Sequence, residues 1–277
     1  MYAVTSVPLI GAGNEGRQAI VAITRCPAQG NGVSQDVARD IIDELDPSWL
    51  LTVGIAGGVP AAEFSLGDVV LASSVLDFTV EAVRAGGDRE FAVEGRHVHH
   101  EVENYATIVE AHRGVLGPWY ELMVLAQPGS DRVPLDQPPV SLEPGNFYGS
   151  AEWQAKVRKS LEHHAARAPR QPRVIAGPIA SSDRLMKDDE LFAFWLKIAR
   201  HVFAVEMESA GVHIAARGRA RRKATPTMSI RGISDIVGFK RAEAWTRYAC
   251  EAAAAFAYAF VRSGYVPTRR SVPAQVG

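Results

Sequence analysis

Two groups of carboxylates have the type and placement to do chemistry. Glu206-Met207-Glu208 sits where a strand-forming run gives way to a helical pattern, so a carboxylate can project into the crevice at a sheet end, near a helix N-terminus that favours negative charge. Such a group could grip vicinal hydroxyls. Equally, both glutamates could simply complement the first turn of the helix. Asp235, with Ser234 before it, follows the β-rich run MSIRGIS and precedes the last long helix, which puts it just past a strand. In a closed pocket a carboxylic acid has its proton affinity raised and can protonate a leaving group near neutral pH. The other reading of Asp235 is an N-cap or loop aspartate.

The elements that must position these groups alternate between strand and helix. Gln18 to Arg25 reads as a strand, and Val33, Val37, Ile41 and Leu45 recur at helical spacing before Asp46-Pro47 ends the run. Trp49 to Val53 and Asp68 to Ala72 read as buried strands joined by the glycine-bearing link GIAGGVPAAEFSLG. Residues 78–170 lose periodicity and read as a variable loop-and-helix excursion. Strands are then expected at Val174 to Ala180, Val202 to Glu206 and Thr227 to Ile233, with helices around Asp189 to Ala199, from Met207 to Ala216, and from Ala242 to Val261. This order predicts an α/β fold of three layers, α/β/α, around a mixed, mostly parallel twisted sheet, as a single domain over 1–264 with a mobile tail over 265–277. In such folds ligands gather at strand ends, and three of those ends carry suggestive residues: Gly54 to Gly58, Glu206 to Glu208, and Ser234-Asp235.

Composition excludes several classes. The 277 residues are 47% hydrophobic, enough for a sizeable core, and the formal net charge of -1 gives no general attraction to nucleic acid polymers or anionic membranes. No stretch approaches the length of a membrane span or the pattern of a signal peptide. Cys26 and Cys250 show neither disulfide nor metal spacing, which fits a reducing cytoplasm.

Four motifs fall in one order: GIAGG at Gly54 to Gly58 with LGDVV at Leu66 to Val70, ASSD at Ala180 to Asp183, AVEMESAG at Ala204 to Gly211, and RGISD at Arg231 to Asp235. In this order they resemble the nucleoside phosphorylase superfamily, closest to its 5′-methylthioadenosine/S-adenosylhomocysteine nucleosidase-like branch. The resemblance implies a phosphorylase-like fold and cleavage of the N-glycosidic bond of a purine nucleoside or nucleotide. It makes Glu208 the ligand of the ribose 2′- and 3′-hydroxyls, Met207 the residue beneath the sugar, and Asp235 the acid at purine N7, with Ser234 orienting it. Leu185 and Met186 would flank the base, and Glu206, Ile55, Ala56 and Gly57 would line the site. Arg184 and Lys187, beside the base-flanking positions, are the candidates for substrate phosphates. One carboxylate thus serves each end of a bond whose cleavage builds positive charge on the sugar. Family members are usually homo-oligomers, and the same is expected here.

Two departures bear on the nucleophile. The family's first strand, with its water-positioning acidic residue, has no counterpart, so the chain is expected to start near the family's second strand. At GIAGG this sequence has Ile55 and Ala56 where the family often has serine, and WLLTV where phosphorylases carry arginine. Hydrolysis is therefore expected rather than phosphorolysis, the alternatives being a phosphorylase or a non-catalytic nucleoside-sensing module.

Other features are set aside. Gly11, Gly13 and Gly16 spell GxGxxG but precede a strand rather than a helix, which fits a hairpin turn better than a dinucleotide site. His97, His99 and His100 read as a solvated loop, so no metal and no cofactor is expected. The basic run from Arg217 to Lys223 reads as a solvated connection away from the site.

Overall fold

The computed structural model describes residues 1–11, 13–79, 81–83, 89–91, 93–109, 116–125, 133–183, 195–197, 199, 201–217 and 223–266. The chain opens with strands β1 (Ala3–Pro8) and β2 (Gln18–Ile23), an antiparallel hairpin whose turn takes positive φ at Gly11, Gly13 and Gly16. The GxGxxG pattern is thus a hairpin turn, as expected. Helix α1 (Asn31–Leu45) follows, then strands β3 (Leu50–Gly58) and β4 (Val69–Asp77). The excursion holds the short pair β5 (Glu81–Val83) and β6 (Arg89–Phe91), strand β7 (Glu94–His97), helix α2 (His100–Ile108), the pair β8 (Val124–Leu125) and β9 (Val133–Pro134), and helix α3 (Ala151–Ala165). Strand β10 (Val174–Ser181), strand β11 (Ala204–Glu206), helix α4 (Ser209–Ala216), strand β12 (Thr227–Ile236) and helix α5 (Glu243–Arg262) complete the chain. No helix among the described residues is long and apolar enough to cross a membrane.

The central sheet runs β10-β11-β3-β12-β4-β7, and β10 also pairs with β4, so the first five strands of that order close on one another and β7 stays outside on β4. The pairings β3–β12, β4–β10 and β10–β11 are parallel, while β3–β11, β4–β12 and β4–β7 are antiparallel. The fold is α/β, with a mixed sheet between helices. Alternation along β12 sorts those helices: Ser229 and Arg231 reach His213 and Ser209 of α4, whereas Gly232 lies against the backbone of Ala249 in α5. The helix pair α1 and α4 therefore covers one face, and α5 covers the other.

Several elements differ from expectation, and the extents of β3 and β12 matter for the site. β3 runs on through GIAGG to Gly58, because these glycines make room for neighbours rather than break the strand: Arg231 packs on Gly54, and Ile233, Ile236 and Phe64 crowd Gly58. β12 continues to Ile236 and is buried along its whole length, so Ser234 and Asp235 lie inside the strand rather than past it. β7 joins the sheet as an edge strand on β4, although its sequence EGRH carries no alternating pattern. The expected helix at Asp189 to Ala199 falls mostly outside the described residues, as does the tail beyond 266.

Asp68 of the LGDVV motif clasps the far end of the excursion. Its carboxylate is fully buried and accepts two hydrogen bonds from the Arg170 guanidinium, both 2.8 Å, and others from the N–H groups of Ser65 and Arg173. Every lone pair is used, which is what a buried charge requires.

Candidate active site

A cavity of about 620 Å³ lies against β3, bounded by the segment Thr24 to Gln29, by α1, and by the junction of β11 with α4. Ile55, Ala56, Gly57, Glu206, Met207, Glu208 and Asp235 all line it. Residues of GIAGG, AVEMESAG and RGISD therefore converge on one space, while no residue of LGDVV or ASSD lines it. Over Leu50 to Ile55, β3 pairs only with β12 among the described residues, so its other edge borders this cavity.

The two glutamates divide the work between them. Glu206 ends β11 with its side chain 1% exposed, and its oxygens accept from the N–H groups of Glu208 and Ser209 and from Arg231 Nη2 at 2.6 Å. It holds the first turn of α4 and has little left for a substrate. Glu208 is 22% exposed and lies 3.9 Å from the same guanidinium. Burial pushes its carboxyl above the usual carboxylate range; Arg231 pulls it back, Glu206 adds to the rise, and the N–H groups of Gly30 and Met207 favour the charged form. Glu206 thus complements the first turn of the helix, while Glu208 keeps a partly exposed carboxylate on the cavity.

Asp235 reaches the cavity through an irregularity in β12. Ile233 faces Ala56 and Asp235 faces Gly57, so Ser234 is the extra residue of a bulge, and bulges re-aim side chains in this way. Asp235 Oδ1 accepts from Ser234 Oγ at 2.6 Å and from Arg241 Nε at 2.8 Å. Oδ2 accepts no hydrogen bond among the described residues and lies beside Gly57, where a Cβ would come within 3.3 Å of it. One oxygen anchors the carboxylate while the other remains available. Ser234 itself is buried and acts on Asp235 from behind.

Arg231 also lines the cavity, although its sequence position gave no expectation of it there. It is 3% exposed, and its Nη2 also donates to Thr52 Oγ1 and Ser209 Oγ, while its Nε has no partner among the described residues. A cation inside a wholly buried strand must have an anionic partner, so the lone arginine within MSIRGIS was the available signal. Gly54 is the matching signal on β3, since any side chain there would overlap the guanidinium.

Arg184, Leu185, Met186 and Lys187 lie outside the described residues. His99 proves to be the N-cap of α2, its Nδ1 accepting from Glu101 N–H, rather than a loop residue. His99, His100 and Glu101 each bring a ligand atom within 4.8 Å of the others, but none of the three lines the cavity.

Residues 33–262 match the family model described as the phosphorylase superfamily. A death domain-containing ATP nucleosidase of Amphimedon queenslandica is 23% identical over 230 residues, covering 82% of this chain and 36% of that protein. The chain thus spans about a third of the length of that relative. Among solved structures, a 5′-methylthioadenosine/S-adenosylhomocysteine nucleosidase from Colwellia psychrerythraea 34H in complex with adenine is similar with a TM-score of 0.54 at 17% identity, covering 95% of this chain and 86% of its own. Futalosine hydrolase of Helicobacter pylori strain 26695 gives 0.54 at 15% identity, covering 94% and 88%. At such identities the structural likeness is one of fold, and the family rests on the sequence match across most of the chain. With that match over most of its length, and with three of the ordered motifs meeting at one cavity, this chain belongs to the phosphorylase superfamily.

Proposed function

We propose that the protein hydrolyses the N-glycosidic bond of a purine nucleoside or nucleotide. The observation that carries this reading is that Glu208 and Asp235, from two different elements, open onto one cavity with carboxylate oxygens to spare. As the bond from C1′ to the purine nitrogen breaks, its electron pair moves into the ring and positive charge develops on the ribose. Glu208, accepting from the 2′- and 3′-hydroxyls, stabilises that charge, and Asp235 supplies a proton or hydrogen bond to the ring. Water adds at C1′ and gives up a proton, so the products are the free base and the ribose compound. Met207 lines the same wall and packs beneath the sugar.

The charges favour water over phosphate as nucleophile. Arg231 is matched by Glu206 with Glu208 close by, and Arg241 is matched by Asp235. A phosphate beside Glu208 would therefore meet carboxylates and cations already paired, although Arg25 also lines the cavity. The nucleosidases and the hydrolase among the relatives agree with hydrolysis.

The test is incubation with adenosine, methylthioadenosine, AMP and ATP, with and without phosphate, followed by chromatography for adenine. Release without phosphate, lost in Asp235→Asn, is the expected result. An absolute need for phosphate would make the enzyme a phosphorylase. Tight binding without release would make it a sensing module.

A further inference from the structure

Glu208 stands at the N-cap position of α4, where a carboxylate ordinarily turns back to accept the free N–H groups of the first turn. Here those donors are already taken. Ser209 N–H goes to Glu206, Ala210 N–H to Ser181 Oγ at 3.2 Å, Gly211 N–H to Asn31 Oδ1 at 2.9 Å, and Val212 N–H to the Glu208 main-chain oxygen. Glu208 makes no cap bond with its side chain.

Asn31 is the residue that joins these groups. It is 5% exposed and begins α1, after Gly30 at φ 118°. Its Oδ1 accepts from Ser181 Oγ at 3.0 Å as well as from Gly211, while its Nδ2 and backbone N–H both donate to Asp183 Oδ1, at 3.2 Å and 2.6 Å. A Cβ at Gly211 would overlap the Asn31 main-chain oxygen, so the ends of α1 and α4 fit closely. Ser34 Oγ donates to the Glu208 main-chain oxygen at 2.8 Å, and Gly30 N–H faces its carboxylate.

We infer that Asn31 is a positioning residue: by capping α4 from another helix, it leaves the Glu208 carboxylate free for the substrate's vicinal hydroxyls. This rests on reading Glu208 as the ribose ligand. Without Asn31, the Gly211 N–H loses its acceptor and Glu208 turns back to supply one.

The experiment is a double-variant cycle on nucleoside hydrolysis, with folding followed by circular dichroism. Asn31→Ala should lower kcat/KM about 10- to 100-fold in the Glu208 protein but less than about 3-fold in Glu208→Ala, because the effect passes through Glu208. Asn31→Asp combined with Asp183→Asn keeps an acceptor for Gly211 and should recover most of the loss. Equal losses in both backgrounds, or wild-type kcat/KM in a folded Asn31→Ala protein, would overturn the inference. Should Asn31→Ala not fold, Ser181→Ala removes the neighbouring acceptor and is judged by the same cycle. A wild-type protein that releases no base would end the hydrolase reading and this one together; turnover indifferent to Asn31 would end only this one.

Discussion

Arg231 Nη2 lies 2.6 Å from the Glu206 carboxylate and 3.9 Å from that of Glu208, so one buried guanidinium faces both glutamates of a single junction and bonds to only one. That asymmetry separates a residue that maintains structure from one that can meet a substrate.

Substitution of the two glutamates should therefore give opposite results. Glu206→Gln leaves Arg231 buried without its counter-charge and should cost about 3 kcal/mol or more of stability. Glu208→Gln should stay within about 1 kcal/mol of wild type while base release falls by orders of magnitude. Urea unfolding and adenine chromatography on both variants check the pair; a stable, inactive Glu206→Gln with a normal Glu208→Gln would reverse the roles.

The pH dependence follows from the raised proton affinity of Glu208. Because it must be ionised to stabilise the positive charge that develops on the ribose, the acid limb of kcat/KM should lie above the usual glutamate range. For stability the sign is the reverse. A carboxyl raised by folding contributes stability that is present below its unfolded value, near 4.5, and is lost as pH rises through its folded value. Wild type should thus lose stability relative to Glu208→Gln as pH increases from about 4.5, and unfolding midpoints at several pH values measure this.

Two glycines offer a contrast between fold and site. A Cβ at Gly232 would overlap the Ala249 backbone in α5, whereas one at Gly57 would meet the far end of Asp235 at 3.3 Å and Val237 Cγ2 at an ordinary contact distance of 3.5 Å. Gly232→Ala should destabilise by several kcal/mol, since backbone cannot step aside as a rotamer can. Gly57→Ala should leave the melting temperature nearly unchanged and reduce base release by displacing Oδ2. Equal melting temperatures for the two variants would refute this.

Arg170→Ala should cost about 3 kcal/mol, because it strips a buried carboxylate, Asp68, of two hydrogen bonds. Neither residue lines the cavity. Activity per folded molecule should therefore remain close to wild type, as measured by turnover at a temperature where the variant stays folded.

Strand and helix alternation and the motif order are legible in the chain because hydrophobic period and residue type are local properties, and it was the family resemblance carried by those motifs that pointed to Glu208 and Asp235. That resemblance singled out Glu208, but local pattern could not divide it from Glu206, since two glutamates one residue apart at a strand-to-helix junction look alike until Arg231 arrives from β12 and Asn31 from α1. Nor could it place Asp235 within β12, because a bulge is defined only by the partner strand that it opposes. GIAGG read as a link for the same reason: glycine usually marks a break, and only packing by Arg231, Ile233 and Phe64 shows that here it admits neighbours. Local pattern chose the chemical groups; contacts between residues up to 180 positions apart, such as that of Asn31 with Gly211, decided which of them is free to act.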